Sequence, residues 1–198
     1  MSQAYESVDL VDDRTVEYFT VAIVVTALTA VFAQVTTPYP FSPAPFTLQT
    51  AGVLLAGLLL GPRWGAFSLV LYLLVGIAGA PVFAGGGSSF GVITGATGGF
   101  LLSFPIAAAA VGAIAHRQLD PRPLDEIGIE FQILAVVVGV LIILAIGPLG
   151  IARASGLSLT EAYVESGLVF LPGDLVKAAA VIALARGGYL AQATVFDE

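Results

Sequence analysis

The sequence predicts an all-α integral membrane protein, a bundle of six transmembrane helices. Three observations lead there. Of 198 residues, 58% are hydrophobic and only 11% are charged, with a mean hydropathy of +0.97; soluble domains carry about 25% charged residues. The apolar residues gather into six segments separated by connections rich in Pro, Gly or charge. One of those segments also encloses a charged pair, Asp174 and Lys177, three residues apart and so on one helical face. An ionisable residue at membrane depth is costly, so it faces a cavity, a partner or a ligand.

The first segment, 18–35, follows an acidic stretch with Glu6, Asp9, Asp12, Asp13 and Glu17. That stretch lacks the basic and apolar regions of a signal peptide, and 1–17 reads as an N-terminal tail. The second segment, 48–60, has only 13 residues and covers about 20 Å of a roughly 30 Å hydrocarbon core. It must extend into its flanks or stop short of crossing. Gly61 and Pro62 then form a tight reversal into the third segment, 64–80. The remaining segments are 98–115, 131–152 and 168–185, so the membrane domain covers 18–189 and a short tail 190–198.

Basic residues set the orientation. Six crossings put Arg14, Arg63, Arg117, Arg122 and Arg186 on one side, and Arg153 on the other. Both termini are therefore expected in the cytoplasm. Three long connections then lie outside. In 36–47, Pro38, Pro40, Pro43 and Pro45 impose an extended path. In 81–97, a glycine run lets backbone approach a ligand. In 153–167, Ser158 and Glu161 form a capping box that opens a short surface helix. Asp174 and Lys177 lie in the outer half of the sixth segment, beneath these loops. An outward-facing pocket follows, with Phe83, Phe90 and Phe100 as candidate walls.

Lys177 can neutralise a carboxylate, and Asp174 can accept from the N–H of a urea or amide. The ligand drawn from the pair is a small, mostly apolar carboxylate with N–H groups elsewhere. Proton relay is a rival use of the same residues. A structural ion pair in a sensor or scaffold is another. Catalysis is disfavoured: the chain has no His-Glu-x-x-His, no Gly-x-Ser-x-Gly, and no Gly-Lys-Ser/Thr after Gly85, Gly86 and Gly87. There is no Cys, and the lone His116 is expected at a polar surface without partners for a metal. No cofactor and no nucleic acid is expected. In the first segment Ala22, Thr26 and Ala30 recur every fourth residue, with Gln34 continuing the row. Small residues at that spacing admit another helix, either within the bundle or from a partner.

Four blocks in order resemble the BioY family, the biotin-binding S components of energy-coupling factor transporters. They are PFTLQTAGVLLAGLLLGPR over 45–63, GAPVFAGG over 79–86, GATGGF over 95–100 and FLPGDLVKA over 170–178. The resemblance covers about 18–186 and implies the six-helix S-component fold. It implies that Asp174 and Lys177 contact biotin, which carries a carboxylate on an apolar tail and a ureido ring. Lys177 is then expected at the carboxylate and Asp174 at a ureido N–H. The same blocks nominate Gly86, Gly87, Ser88, Thr97 and Phe100. Family members can carry Asn where Gly87 stands, so Ser88 or a backbone N–H takes that role here. Where the family pattern has Tyr, Phe100 keeps the ring and loses the hydroxyl. The resemblance also implies a transmembrane T component and two ATPase subunits, which alone use ATP, with Ala22, Thr26 and Ala30 as the docking row.

Overall fold

The computed structural model describes residues 12–40 and 42–187. The acidic residues Glu6 and Asp9 and the expected tail 190–198 lie outside the described residues. The order is α1 (Asp13–Gln34), β1 (Thr36–Thr37), β2 (Phe46–Thr47), α2 (Gln49–Ile77), α3 (Phe90–Thr94), α4 (Gly98–His116), α5 (Ile129–Ser155), α6 (Leu159–Ala162) and α7 (Leu171–Arg186). Helix α1 begins within the expected tail, taking in Asp13, Arg14 and Glu17.

Five helical stretches are long and apolar enough to cross a membrane. One of them, α2, is a hairpin and supplies two limbs. Gly61 breaks it with φ 68° and ψ −173°, a backbone region essentially confined to glycine. The Gln49 amide meets the Tyr72 hydroxyl at 2.7 Å across 23 residues; a straight helix would hold them about 35 Å apart. The expected second and third segments are therefore these limbs. The first limb starts at Gln49, which borders the cavity described below.

The reversal removes hydrogen bonds that the bundle must restore. Pro62 has no N–H, so the Leu58 carbonyl loses its helical donor. His116, the last residue of α4, supplies one: Nε2 lies 2.9 Å from that carbonyl. Nδ1 accepts from the Arg122 backbone N–H at 2.9 Å, which makes Nε2 the protonated nitrogen. His116 is 1% exposed. The expected surface position is thus corrected: the imidazole is an internal brace between the α2 reversal and the loop after α4.

Elsewhere the helices touch through small residues. A side chain on Gly112 would overlap the backbone of Gly61 and Pro62, and one on Gly99 would meet the α5 backbone at Gly147 and Gly150. Close approach of this kind replaces the hydrophobic driving force that lipid removes. The row on α1 belongs to the same system. The Thr26 hydroxyl lies 2.8 Å from the Ser68 carbonyl, and Ser68 Oγ donates to the Ala22 carbonyl at 3.0 Å. Ala22 and Thr26 are buried, and Ala30 packs against the same cluster. Of the expected docking row, Ala22 and Thr26 seat α1 on the second limb of α2, and Ala30 lies half-buried beside them. Outward-facing α1 positions are larger and apolar, among them Ile23, Val24 and Val31.

The third long connection is not a separate surface helix. Ser158 and Glu161 do form the capping box. The chain then continues through a π-helical turn, Tyr163–Leu168, directly towards α7. All five arginines of the expected inner set lie at the end of the bundle that holds the α2 reversal, where Arg14 and Arg63 share a groove with Asp120.

Two substitutions test this packing. His116→Ala orphans a buried carbonyl and is expected to cost about 1–3 kcal/mol, read as a lower unfolding temperature of the detergent-purified chain. Thr26→Trp is expected to prevent recovery of folded protein, whereas Val24→Trp, on the outer face of the same helix, is expected to leave folding intact.

Candidate ligand-binding site

The first turn of α7 is built to hold a carboxylate. Pro172 fits there because its missing N–H would be unpaired anyway. Asp174 sits in that turn, where the helix dipole favours negative charge. Gly173 leaves no Cβ, and the vacated space is filled by the Phe46 ring from β2. One turn on, Lys177 Nζ lies 2.6 Å from Asp174 Oδ1 and 2.6 Å from the Thr47 carbonyl. It also stands 3.7 Å from the centroid of the Phe46 ring. Asp174 is 3% and Lys177 7% exposed. Among the described residues this is the only ion pair.

The pair borders a cavity of about 140 Å³. Its walls come from several elements at the end of the bundle opposite the α2 reversal. The strap 36–47 contributes Ala44, Pro45, Phe46 and Thr47, with β1 and β2 paired antiparallel through Thr36–Thr47 and Thr37–Phe46. The start of α2 adds Gln49 and Thr50. The glycine-rich connection adds Phe83 and Ala84, and α3 adds Val92. Thr97 and Phe100 bring α4 to the cavity, Ile143 brings α5, and Phe170 precedes α7. Phe170 packs on Tyr39, Phe46 and Phe100, with ring centroids 5.9, 6.0 and 6.0 Å apart. The result is an apolar box with polar groups at a few points, the usual character of a small-molecule site.

Four nominated residues meet at this cavity: Asp174, Lys177, Thr97 and Phe100. Gly86, Gly87 and Ser88 of the glycine-rich loop do not border this cavity. The loop closes on itself instead. Phe83 N–H donates to the Gly87 carbonyl at 3.0 Å, and Gly85 and Gly86 take positive φ to make the turn. That turn drives Phe83 inward against Tyr72, 5.4 Å between ring centroids, and directs the glycines away. Phe90 is also corrected as a wall: it is 62% exposed. Phe46, Thr47, Gln49, Thr50 and Phe170 were not nominated from the sequence. Phe46 to Gln49 lie inside the first family-like block and Phe170 opens the last, so the signal was present as a motif without a role.

Asp174 and Lys177 are in direct contact and form one polar centre. A second one stands beyond Thr47. The Thr47 hydroxyl donates to Gln49 Oε1 at 3.0 Å. Gln49 Nε2 donates to the Tyr72 hydroxyl at 2.7 Å, and that hydroxyl donates to the Val82 carbonyl at 2.8 Å. Through Thr47, whose carbonyl meets Lys177 and whose hydroxyl meets Gln49, hydrogen bonds link α7 to α2 and to the glycine-rich connection.

Fold and site together define a membrane-embedded helical bundle with a small-molecule pocket in one half. The BioY family model matches residues 4–193, and the chain belongs to that family. It is 33% identical over 147 residues to the biotin transporter BioY of Rhizobium etli, covering 74% of this chain and 78% of that one. It is 36% identical over 160 residues to the probable biotin transporter BioY of Pyrococcus horikoshii, covering 81% and 88%. A crystal structure of the S-component for biotin from an ECF-type ABC transporter superposes with a TM-score of 0.77 at 24% identity, covering 89% of this chain and 93% of that one. That likeness establishes the S-component fold.

The ion pair has a stability signature independent of any ligand. Lys177→Ala strands the Asp174 carboxylate and is expected to cost about 3–5 kcal/mol. The double variant Asp174→Leu with Lys177→Met is expected to regain most of that loss. Thermal unfolding of the three proteins without ligand measures it.

Proposed function

We propose that this chain is the substrate-capturing membrane subunit of a biotin uptake system. It takes biotin from the outer face and delivers it inward with an ATP-driven coupling module, comprising a transmembrane T component and two ATPase subunits. Family membership supports biotin as the ligand. The observation that carries the reading to specific residues is the buried Asp174–Lys177 pair at the wall of an apolar cavity. Five arginines at the opposite end of the bundle favour a cytoplasmic location for that end and for both termini, by the excess of positive charge on inner loops. The pocket then opens outward.

Capture works by exchange of partners. The Lys177 ammonium has a carboxylate, a carbonyl and a ring face around it. An incoming carboxylate takes the place of the Thr47 carbonyl, a weaker acceptor, while Asp174 keeps the lysine charged. The apolar tail lies against Phe46, Phe100 and Phe170, whose rings are mutually braced. In this reading the coupling module releases the cargo by moving the bundle or its surroundings.

Calorimetric titration of the detergent-purified chain with biotin tests the reading. Native protein is expected to bind tightly. Lys177→Ala is expected to bind roughly ten-fold or more weakly, because the ligand carboxylate loses its buried partner. Binding that survives Lys177→Ala unchanged would remove the pair from the site, and a folded native chain without affinity for biotin would refute the function.

A further inference from the structure

The end of the bundle that holds the α2 reversal has a groove of about 760 Å³ that takes no part in the pocket. Arg14 lines it from the start of α1, and Arg63 from α2 just after the reversal. Both side chains are exposed. Neither is salt-bridged, since Asp174 and Lys177 form the only ion pair among the described residues. Two other arginines of this end are engaged within the protein. Arg117 stands 4.9 Å from the centroid of the Phe131 ring, and Arg122 donates to the Ala115 carbonyl at 3.2 Å. Arg14 and Arg63 thus present two guanidinium groups without a salt-bridge partner to one space, and the positive end of the α1 dipole adds to them.

Next to the charges the groove is aromatic. Trp64 and Phe67 meet edge to face at 5.6 Å, Tyr18 packs on Trp64 at 6.1 Å and Phe19 on Phe67 at 5.8 Å. Beyond this cluster the surface is apolar. Phe19 and Ile23 are four apart on α1, and Phe67, Val70 and Leu74 follow one face of α2; all five are exposed. Arginine beside tryptophan and tyrosine is the composition of a membrane–water interface. An arginine fork matches a phosphate, and a ring cluster that leads onto an open apolar face matches an acyl chain. A free phosphate would use only the first of these parts, whereas a phospholipid uses both. Asp12, Gln118 and Asp120 also border the groove. Their oxygens accept from hydroxyl groups, which a glycerol headgroup supplies and a choline headgroup lacks.

We infer that this groove seats one anionic glycerophospholipid with a hydroxyl-bearing headgroup. Its phosphodiester takes Arg14 and Arg63, its hydroxyls meet Asp12 and Asp120, and its tail follows Phe67 and Val70. The site lies at the opposite end of the bundle from the pocket and is independent of what the pocket binds.

Trp64 is the only tryptophan of the chain and lines the groove, so its fluorescence reports the site directly. The full chain is placed in phosphatidylcholine vesicles that contain a small, equal share of either phosphatidylglycerol or phosphatidylcholine with brominated acyl chains, since bromine quenches a neighbouring indole. Brominated phosphatidylglycerol is expected to quench Trp64 several-fold more effectively at the same mole fraction. Arg14→Gln and Arg63→Gln, both at exposed positions where folding tolerates change, are each expected to remove most of that difference. Arg186→Gln takes the same charge from an exposed position at this end but outside the groove, and is expected to preserve it. Inorganic phosphate added at constant ionic strength is expected to leave the difference intact. Equal quenching by the two lipids in the native chain would overturn the inference. So would a difference that survives both groove variants, or one that Arg186→Gln lowers as much as they do, which marks bulk attraction of charge. A difference abolished by phosphate would assign the groove to the free anion and overturn the lipid.

Discussion

The half of this bundle that holds the pocket is organised around one buried ion pair. Asp174 and Lys177 are both nearly inaccessible, and two charges at membrane depth are tolerable only if every surrounding group cooperates. Each neighbour reflects that demand. Gly173 lets Phe46 reach the lysine. The strap is held down because its Thr47 carbonyl is the lysine's second acceptor. The proline-rich path of 36–47 brings that carbonyl into place without a competing helix. A ligand site is a natural product of the same arrangement, since a lysine with an exchangeable neutral acceptor can change partners without losing its counter-charge.

A second constraint shapes the other half. Lipid offers no hydrogen bonds, so every break in a helix must be repaired from within the protein. The α2 hairpin breaks two rules at once, with a positive-φ glycine and a proline at the turn. Its repair recruits the only histidine in the chain. The turn is thereby tied to α4 and to the loop after it. The first limb of the hairpin starts at Gln49, which borders the cavity.

What the sequence made legible follows from which signals survive in lipid. Composition and segment breaks identified the bundle, and Gly61 with Pro62 announced the reversal. The capping box at Ser158 is local chemistry, independent of the surrounding solvent, and it stands as expected. Asp174 and Lys177 stood out because charge is rare among these segments. Facing was not legible. Membrane helices are apolar on all sides, so hydrophobic periodicity cannot tell the bundle from the bilayer. The usual rule is partly inverted: Val24 and Val31 face outward, while Ala22, Thr26 and Ser68 face inward. The row on α1 could therefore be read either way from spacing alone. His116 misled for a related reason. It sits beside a polar loop in the chain, but its partner is a carbonyl 58 residues away whose need arises only from the fold.

The glycine-rich loop shows the same limit from the other direction. Its glycines suggested backbone offered to a ligand, yet they serve a turn whose product is Phe83, a wall. The polar work moves elsewhere. The hydrogen bonds from Lys177 through Thr47 and Gln49 to Tyr72 and Val82 tie together α7, β2, the two limbs of α2 and the glycine-rich connection. The Val82 carbonyl at their far end belongs to the connection that also positions Phe83. The two polar centres and the aromatic wall are thus set by one network, and none can shift without loading the others. Such coupling holds the cavity walls in one arrangement, and a cavity so braced spends little interaction energy on its own assembly.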